Sequence, residues 1–183
     1  MKKALAVALT LFTVAALPLT AAAHGPSPQK VEKEIVIKAE PAKVWAIVKD
    51  WGGIHKWLPL VATTKVETKK DESGEMVSYR LLTLKAGGTV YEKLRSSDDG
   101  LMKVKYEIVE SVLPLTDYNA FITVKAGPGA GESTVTWVGR FYRLYKLNPP
   151  IPAGQDDETA VKAITGVYDS GLAGLKKLAE GSK

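Results

Sequence analysis

The sequence of 183 residues contains no cysteine and only two histidines, His24 and His55. The absence of cysteine excludes disulfide bonds, thiol catalysis and cysteine-ligated zinc, so the folded chain depends on a packed apolar core. Because a histidine metal site needs ligands that come together, this pair gives no prediction of a metal, and no motif predicts a cofactor. Hydrophobic residues make up 45% of the sequence, which is sufficient for such a core.

The chain also lacks a strong excess of charge of one sign. It carries 25 lysine and arginine residues against 20 aspartate and glutamate residues, for a net charge of +5. The basic residues are scattered among the acidic ones, so we predict no nucleic-acid partner. There is no Gly-x-Ser-x-Gly elbow, and the glycine-rich residues 127–131 lack the Lys-Ser/Thr of a phosphate-binding loop. These absences favour a protein that is not an enzyme.

A short apolar run near the N-terminus is typical of a secretory signal peptide. A Met-Lys-Lys start is followed by an uncharged apolar run at residues 4–17, then by a proline and three alanines. The run is shorter than the roughly 20 apolar residues of a membrane-spanning helix, so we favour a signal peptide at residues 1–23 over a membrane anchor. We expect cleavage between Ala23 and His24, export, no membrane span in the mature chain, and one domain at residues 24–183.

The remaining sequence predicts a defined order of strands and helices. Residues 31–37 alternate as in a half-buried strand, and Pro41 is placed to start the first helix of a short helical pair. Residues 156–180 have apolar residues at helical spacing, which predicts a long helix. Six runs between them predict strands: 62–69, 76–85, 89–96, 101–110, 118–125 and 133–144. This order predicts an α+β fold in which a curved antiparallel sheet of about seven strands wraps around the C-terminal helix.

Two charged residues fall on the predicted inner face of this sheet. A three-residue loop at residues 86–88 brings the even-numbered faces of its flanking strands together and places Arg80 diagonal to Glu92. Charges on an apolar face are costly unless they are paired or used. The pair is therefore a structural ion pair, which we favour, or a ligand-orienting or acid–base pair. Tyr106, on the same face, either fills core volume or joins the pair through its hydroxyl.

Residues 50–61, DWGGIHKWLPLV, are too broken for a long helix and too aromatic for an ordinary surface loop. A curved sheet that one helix cannot fill leaves a cavity, and we interpret this segment as the gate at its mouth. Trp51 and Trp57 are then packing or capping residues, and His55 lines the mouth. His55 lacks the partner residues of a catalytic histidine, so no catalytic residue is predicted.

Several segments resemble a known superfamily. PAKVWAIVKDWGGIHKWLPLV resembles the N-terminal signature of the START-like (SRPBCC) superfamily, which includes polyketide cyclases and lipid-transport proteins and has the helix-grip fold. HGPSPQKVEKEI, WVGRFYRLY and NPPIPAGQDDETAVKAI resemble the MxaD family of small periplasmic proteins encoded with methanol dehydrogenase. The resemblance covers essentially the whole chain after the signal peptide.

This resemblance implies one function and leaves a second open. MxaD-like proteins imply a periplasmic, non-catalytic accessory protein that promotes contact and electron transfer between methanol dehydrogenase and its cytochrome c. The wider superfamily implies a carrier of a lipid or hydrophobic small molecule, or a cyclase-like enzyme. The absence of a recognisable catalytic set favours the first function.

Residues 140–157, RFYRLYKLNPPIPAGQDD, are the candidate partner surface. They join the last strand to the long helix through a connection that is long for a compact domain and contains three prolines. Basic and aromatic side chains are mixed in it, as they are at protein interfaces. The predicted surface residues are Arg140, Tyr142, Arg143, Tyr145, Lys146, Pro149 and Pro150. The alternative is that the segment only covers the end of the helix.

Overall fold

Residues 25–181 are described by a computed structural model, so the expected signal peptide and its cleavage site lie outside the described residues. The strands are β1 (Gln29–Ile37), β2 (Val61–Lys70), β3 (Met76–Leu84), β4 (Thr89–Asp98), β5 (Lys103–Ser111), β6 (Leu115–Ala126) and β7 (Ser133–Arg143). The helices are α1 (Pro41–Val48) and α2 (Asp157–Glu180). The second member of the expected helical pair is a single 3-10 turn at Ile54–Lys56.

The strands form one seven-stranded antiparallel sheet in the order β1-β7-β6-β5-β4-β3-β2. Strands β2 to β7 pair with their neighbours along the chain, and β1 pairs with β7 at the opposite edge. The predicted α+β fold is therefore confirmed, including the long C-terminal helix and the short helix after the first strand.

Strand β6 begins three residues before the predicted strand because of a bulge. Thr116 pairs with Tyr142 but Asn119 pairs with Arg140, so two residues of β6 oppose one residue of β7. One of the two is Asp117, which has a positive φ of 53°. The bulge reverses the alternation of buried residues, and the pattern read from the sequence therefore starts only after it.

The β3–β4 hairpin differs from the predicted register by two residues, because its loop begins one position earlier in the chain. Arg80 lies directly opposite Glu92, so the predicted diagonal arrangement was wrong. The N–H of Gly87 donates to the Leu84 carbonyl at 3.1 Å, and the N–H of Leu84 donates to the Gly88 carbonyl at 3.0 Å. These bonds define a turn followed by Gly87 at φ 96°, with a three-residue loop at residues 85–87. The even-numbered faces of the two strands do meet.

Helix α2 packs mainly against β1 and β7, on one side of the concave face of the sheet. Asp156 caps its start by accepting a hydrogen bond from the Thr159 N–H at 2.7 Å, as helix N-termini favour. The buried residues lie at helical spacing and are Ala160, Ile164, Tyr168, Gly171, Leu172, Leu175 and Ala179. The concave face of β3 to β5 lies away from this contact, which leaves space between the sheet and the helix.

Two glycines allow α2 to approach the segment before β2. A Cβ atom at Gly171 would lie 2.7 Å from the Trp137 ring and 3.0 Å from Leu58. A Cβ atom at Gly174 would lie 1.9 Å from the carbonyl oxygen of Trp57. Because this second neighbour is backbone, it cannot move away by changing a rotamer.

Gly174→Ala is therefore expected to lower the free energy of unfolding by about 1–3 kcal/mol, since the helix and the segment must move apart. Gly166→Ala is the matched control, because Gly166 is exposed on the same helix and its Cβ would meet nothing within 4 Å. This control should raise the free energy by about 0.4–1 kcal/mol. Urea unfolding monitored by circular dichroism measures both, and equal gains in stability would contradict the close approach.

Candidate functional site

A cavity of about 340 Å³ lies between the concave face of the sheet and α2. Its wall is apolar apart from a few polar groups, chiefly Glu92, Tyr106 and Tyr118. The residues that line it come from the segment before β2, from strands β3 to β7 and from α2. They are Ile54, Leu58, Pro59, Leu60, Val61, Leu82, Leu84, Lys85, Ala86, Val90, Glu92, Tyr106, Ile108, Leu113, Tyr118, Trp137, Ile164 and Val167.

The mouth of the cavity lies where its lining residues become exposed to solvent. These exposed residues are Pro59 and Leu60 before β2, together with Lys85 and Ala86 in the β3–β4 loop. The Lys85 N–H donates to the Leu60 carbonyl at 2.9 Å and joins the two sides. Of the segment expected to form the gate, residues 50–61, Pro59 and Leu60 near its C-terminal end lie at the mouth.

Arg80 and Glu92 form a buried ion pair on the concave face. Arg80 Nε donates to Glu92 Oε2 at 2.5 Å, and the two residues are 4% and 5% exposed. Arg80 Nη1 also donates to the Trp51 carbonyl at 3.1 Å, and the guanidinium carbon lies 3.6 Å from the centre of the Trp51 ring. Trp51 therefore covers the pair on one side, and Arg80 is held by three separate contacts.

Glu92 is the member of the pair that also lines the cavity. Burial raises the pKa of its carboxyl group, and the charge and hydrogen bond of Arg80 oppose that shift. The two buried charges are thus paired with each other. The Glu92 carboxylate is one of the few polar groups in a largely apolar cavity wall.

A chain of hydrogen-bonded aromatic side chains lies at the inner wall of the cavity, where Tyr106, Tyr118 and Trp137 line the space and Tyr168 lies behind them. Trp137 Nε1 donates to Tyr106 Oη at 2.9 Å. Tyr106 Oη lies 3.3 Å from Tyr118 Oη, which lies 2.6 Å from Tyr168 Oη. Trp137 also stacks on Tyr168 with 4.2 Å between ring centroids. Burial raises the pKa of Tyr106, Tyr118 and Tyr168, so all three hydroxyls stay protonated at neutral pH.

The residues expected to line the cavity or its gate occupy different places. Glu92 and Tyr106 lie in the cavity wall. Trp51 packs behind the wall, edge-on to Tyr106 with 6.0 Å between centroids, and Trp57 packs edge-on to Trp137 at 5.7 Å. The indole nitrogens of both tryptophans are buried without a hydrogen-bond partner among residues 25–181.

His55 lies outside the cavity, in an exposed shallow depression next to its mouth. Its Nδ1 lies 3.1 Å from the Gly52 carbonyl oxygen and 3.2 Å from Thr64 Oγ1. The depression shares Pro59 and Lys85 with the cavity. These contacts fix the ring against the backbone and do not bring a carboxylate to it.

The sequence did not identify three members of this aromatic chain: Tyr118, Trp137 and Tyr168. Each lies on a face that alternation or helical spacing marks as buried, so burial was available as a signal. The contact between them could not be predicted, because Tyr118 and Tyr168 are 50 positions apart in the chain. The contact depends on how α2 crosses the sheet, which local patterns do not encode.

The expected partner surface is divided between exposed and buried residues. Arg140, Lys146, Pro149 and Pro150 are exposed, while Tyr142 and Tyr145 are half-buried. Lys146 Nζ lies 2.7 Å from Asp117 Oδ2 in a half-exposed ion pair. Such a pair contributes little to stability, so Lys146 remains available to a partner.

Arg143 does not belong to an exposed surface, because it is 6% exposed. Its Nε donates to the Tyr145 carbonyl at 2.7 Å and its Nη2 to the Leu147 carbonyl at 3.3 Å. Its Nη1 donates to Asp157 Oδ2, at the start of α2, at 3.2 Å. The side chain thus holds the connection in place, which is the packing role that the sequence left as an alternative for this segment.

Residues 25–181 contain neither a candidate membrane span nor a candidate metal site. No helix in this range is long and apolar enough to cross a membrane. No group of three or more histidine, aspartate and glutamate side chains in it is placed to hold a metal ion.

Comparison with known proteins identifies the family. The family model described as polyketide cyclase / dehydrase and lipid transport matches residues 28–180. The chain belongs to this family. No protein among those of curated function matches the chain.

Solved structures agree with this family assignment. The protein XoxI from Bacillus cereus is 25% identical, with a TM-score of 0.63 over 82% of this chain and 94% of that one. The Zhui aromatase/cyclase from Streptomyces sp. R1128 is 13% identical, with a TM-score of 0.65 over 84% and 94%. A START superfamily protein from Mycobacterium smegmatis is 12% identical, with a TM-score of 0.62 over 82% and 97%. The last two likenesses show the fold alone.

In this member of the polyketide cyclase and lipid-transport family, we expect Arg80 and Glu92 to be strongly coupled. Arg80→Met or Glu92→Leu alone should lower the free energy of unfolding by about 3–5 kcal/mol, because an unpaired charge stays buried. The double variant should lose less than either single variant. Urea unfolding of all four proteins gives the coupling energy.

The half-exposed pair Arg95–Glu107, with a side-chain separation of 3.4 Å, is the control for this cycle. Arg95→Met and Glu107→Leu should show a coupling of only about 0.2–1 kcal/mol. Equally small and additive losses at Arg80 and Glu92 would indicate that water reaches the inner pair.

Proposed function

We propose that the protein binds an apolar small molecule in the cavity between its sheet and α2. The observation that supports this proposal most is the cavity itself, with a volume of about 340 Å³ and a largely apolar wall. Ligand pockets have volumes of about 300–1,000 Å³, apolar walls and a few placed polar groups. Glu92, Tyr106 and Tyr118 supply such groups here.

The size of the cavity argues against a simple packing defect. At about 24 cal/mol per Å³, a sealed void of 340 Å³ would cost about 8 kcal/mol. This cost is comparable to the whole free energy of unfolding of a domain, about 5–15 kcal/mol. The open mouth lowers the cost, and a bound apolar molecule offsets it by removing its own surface and that of the wall from water.

The polar groups of the wall suit binding more than catalysis. The Glu92 carboxylate is already paired with Arg80 at 2.5 Å. The tyrosine hydroxyls remain protonated because burial raises their pKa values, so they donate hydrogen bonds and do not act as bases. The described residues thus offer orientation to a ligand and no nucleophile–base pair.

Ile108→Trp should abolish this binding, because the larger side chain fills the cavity from strand β5. Val109→Trp is the matched control, since Val109 is the next residue on the strand and is 54% exposed. The probe is N-phenyl-1-naphthylamine, whose fluorescence rises in apolar surroundings. We expect at least about a tenfold loss of affinity in Ile108→Trp, equivalent to about 1.4 kcal/mol, and none in Val109→Trp. Unchanged affinity in a folded Ile108→Trp variant would place the binding elsewhere.

We further propose a setting for this binding: export to the periplasm and an accessory role in methanol oxidation between methanol dehydrogenase and its cytochrome c. The resemblance of WVGRFYRLY and NPPIPAGQDDETAVKAI to MxaD-like proteins supports this second proposal. The exposed basic residues Arg140 and Lys146 lie in or beside these segments. They provide positive charge that would steer association with an acidic surface.

The double variant Arg140→Ala/Lys146→Ala tests the accessory role. It should reduce stimulation of electron transfer from methanol dehydrogenase to cytochrome c severalfold at low salt and less at high salt, because salt screens exposed charges. Lys162→Ala, on the exposed face of α2, is the control and should leave the stimulation unchanged. No stimulation by the wild-type protein would refute the accessory role without affecting the proposed binding of an apolar molecule.

A further inference from the structure

The hydrogen-bonded chain at the inner wall has one more hydrogen to donate than it has hydrogen-bonded contacts. Its three contacts are Trp137 Nε1 to Tyr106 at 2.9 Å, Tyr106 to Tyr118 at 3.3 Å, and Tyr118 to Tyr168 at 2.6 Å. One indole N–H and three hydroxyls supply four hydrogens, and each contact uses one. No other group among residues 25–181 forms a hydrogen bond with these hydroxyls, so one hydroxyl hydrogen remains without an acceptor.

The packing around Tyr168 indicates where this free hydrogen lies. A Cβ atom built on Gly139 would lie 2.3 Å from Tyr168 Oη, so this hydroxyl is wedged against the backbone of β7. An acceptor from outside has no room there, and an unpaired donor in that position is unfavourable. The chain avoids this arrangement when Tyr168 donates to Tyr118. The free hydrogen then belongs to Tyr118 or Tyr106.

Tyr106 and Tyr118 both line the cavity, whereas Tyr168 does not. Both are fully covered residues, at 2% and 3% exposed, and they lie on the neighbouring strands β5 and β6. Because both residues line the cavity and are covered from bulk water, an acceptor from outside the protein can reach a donor on this pair only through the cavity. Burial raises the pKa of each tyrosine, and the nearby negative charge of Glu92 adds to this effect at Tyr106. The pair therefore keeps its hydrogens over the whole physiological pH range.

We infer that the ligand carries a carbonyl-type oxygen at its inner end, which accepts the free hydroxyl hydrogen of the Tyr106–Tyr118 pair. This inference rests on the proposed function, because it specifies the chemistry of the molecule that occupies the same cavity. The rest of the ligand is apolar, since the remaining wall offers mainly aliphatic and aromatic carbon. A hydrocarbon without such an oxygen leaves the buried donor unpaired and binds less tightly.

A matched pair of probes tests the inference. 2-Acetylnaphthalene carries a carbonyl group, and 2-isopropenylnaphthalene replaces its oxygen with a methylene group of nearly the same shape. The affinities of both are measured for the wild type and for Tyr106→Phe/Tyr118→Phe. The preference for the ketone over the alkene should be about tenfold greater in the wild type than in the variant. Tyr168→Phe is the control and should keep the wild-type preference, because a donor on the Tyr106–Tyr118 pair remains.

The outcomes separate this inference from the proposed function. Binding of both probes with the same relative preference in the wild type and the double variant would overturn the inference and leave the proposed function intact. Binding of neither probe to the wild type would overturn both.

A second measurement covers the case in which the double variant does not fold. The carbonyl stretching frequency of 2-acetylnaphthalene bound to the wild type should be lower than in hexane, because the ketone accepts a hydrogen bond. An unshifted frequency would overturn the inference.

Discussion

Trp137 of β7 stacks on Tyr168 of α2 with 4.2 Å between the ring centroids, and this contact sets the position of the helix on the sheet. The helix can approach the sheet closely because Gly139 and Gly171 have no side chain. A Cβ atom at Gly139 would contact Tyr168, and one at Gly171 would contact Trp137. Helix α2 is thereby drawn toward the β1–β7 side of the concave face. The space beside β3 to β5 stays open for the same reason. The stacking of Trp137 on Tyr168 therefore explains both the close packing of α2 on β7 and the cavity beside β3 to β5.

Most of the fold was predictable because its determinants are local. Alternation predicted the strands, and apolar residues at helical spacing predicted α2. The errors occur where a single residue changes the pairing of neighbouring strands. Gly87 takes the positive φ of the β3–β4 turn and moves Arg80 from diagonal to directly opposite Glu92. Asp117 forms a bulge that hides the start of β6. The hairpin shift is two residues and keeps every side chain on its predicted face, so alternation cannot detect it, whereas the bulge reverses the alternation itself.

The candidate site was less predictable because it is built from distant parts of the chain. Arg80 and Glu92 were identified because charges on an apolar face stand out in the sequence. The chain from Trp137 to Tyr106, Tyr118 and Tyr168 was not, since buried aromatics are ordinary in a core and their hydroxyl contacts depend on tertiary packing. Arg143 shows the opposite error. Its neighbours suggested a docking surface, but its guanidinium binds two carbonyl groups and the Asp157 carboxylate inside the connection.

The hydrogen bond between the Lys85 N–H and the Leu60 carbonyl, at 2.9 Å, has a kinetic consequence. It joins a hairpin loop to an irregular segment, and neither belongs to the packed contact between α2 and β7. Such peripheral elements open locally at a free-energy cost far below that of global unfolding. For the proposed ligand, the mouth would then open on the timescale of loop motion, nanoseconds to microseconds, while the aromatic contact behind it stays closed. Residence time would then depend on the fit of the occupant within the wall, and the stability of the domain would place no limit on the rate of exchange.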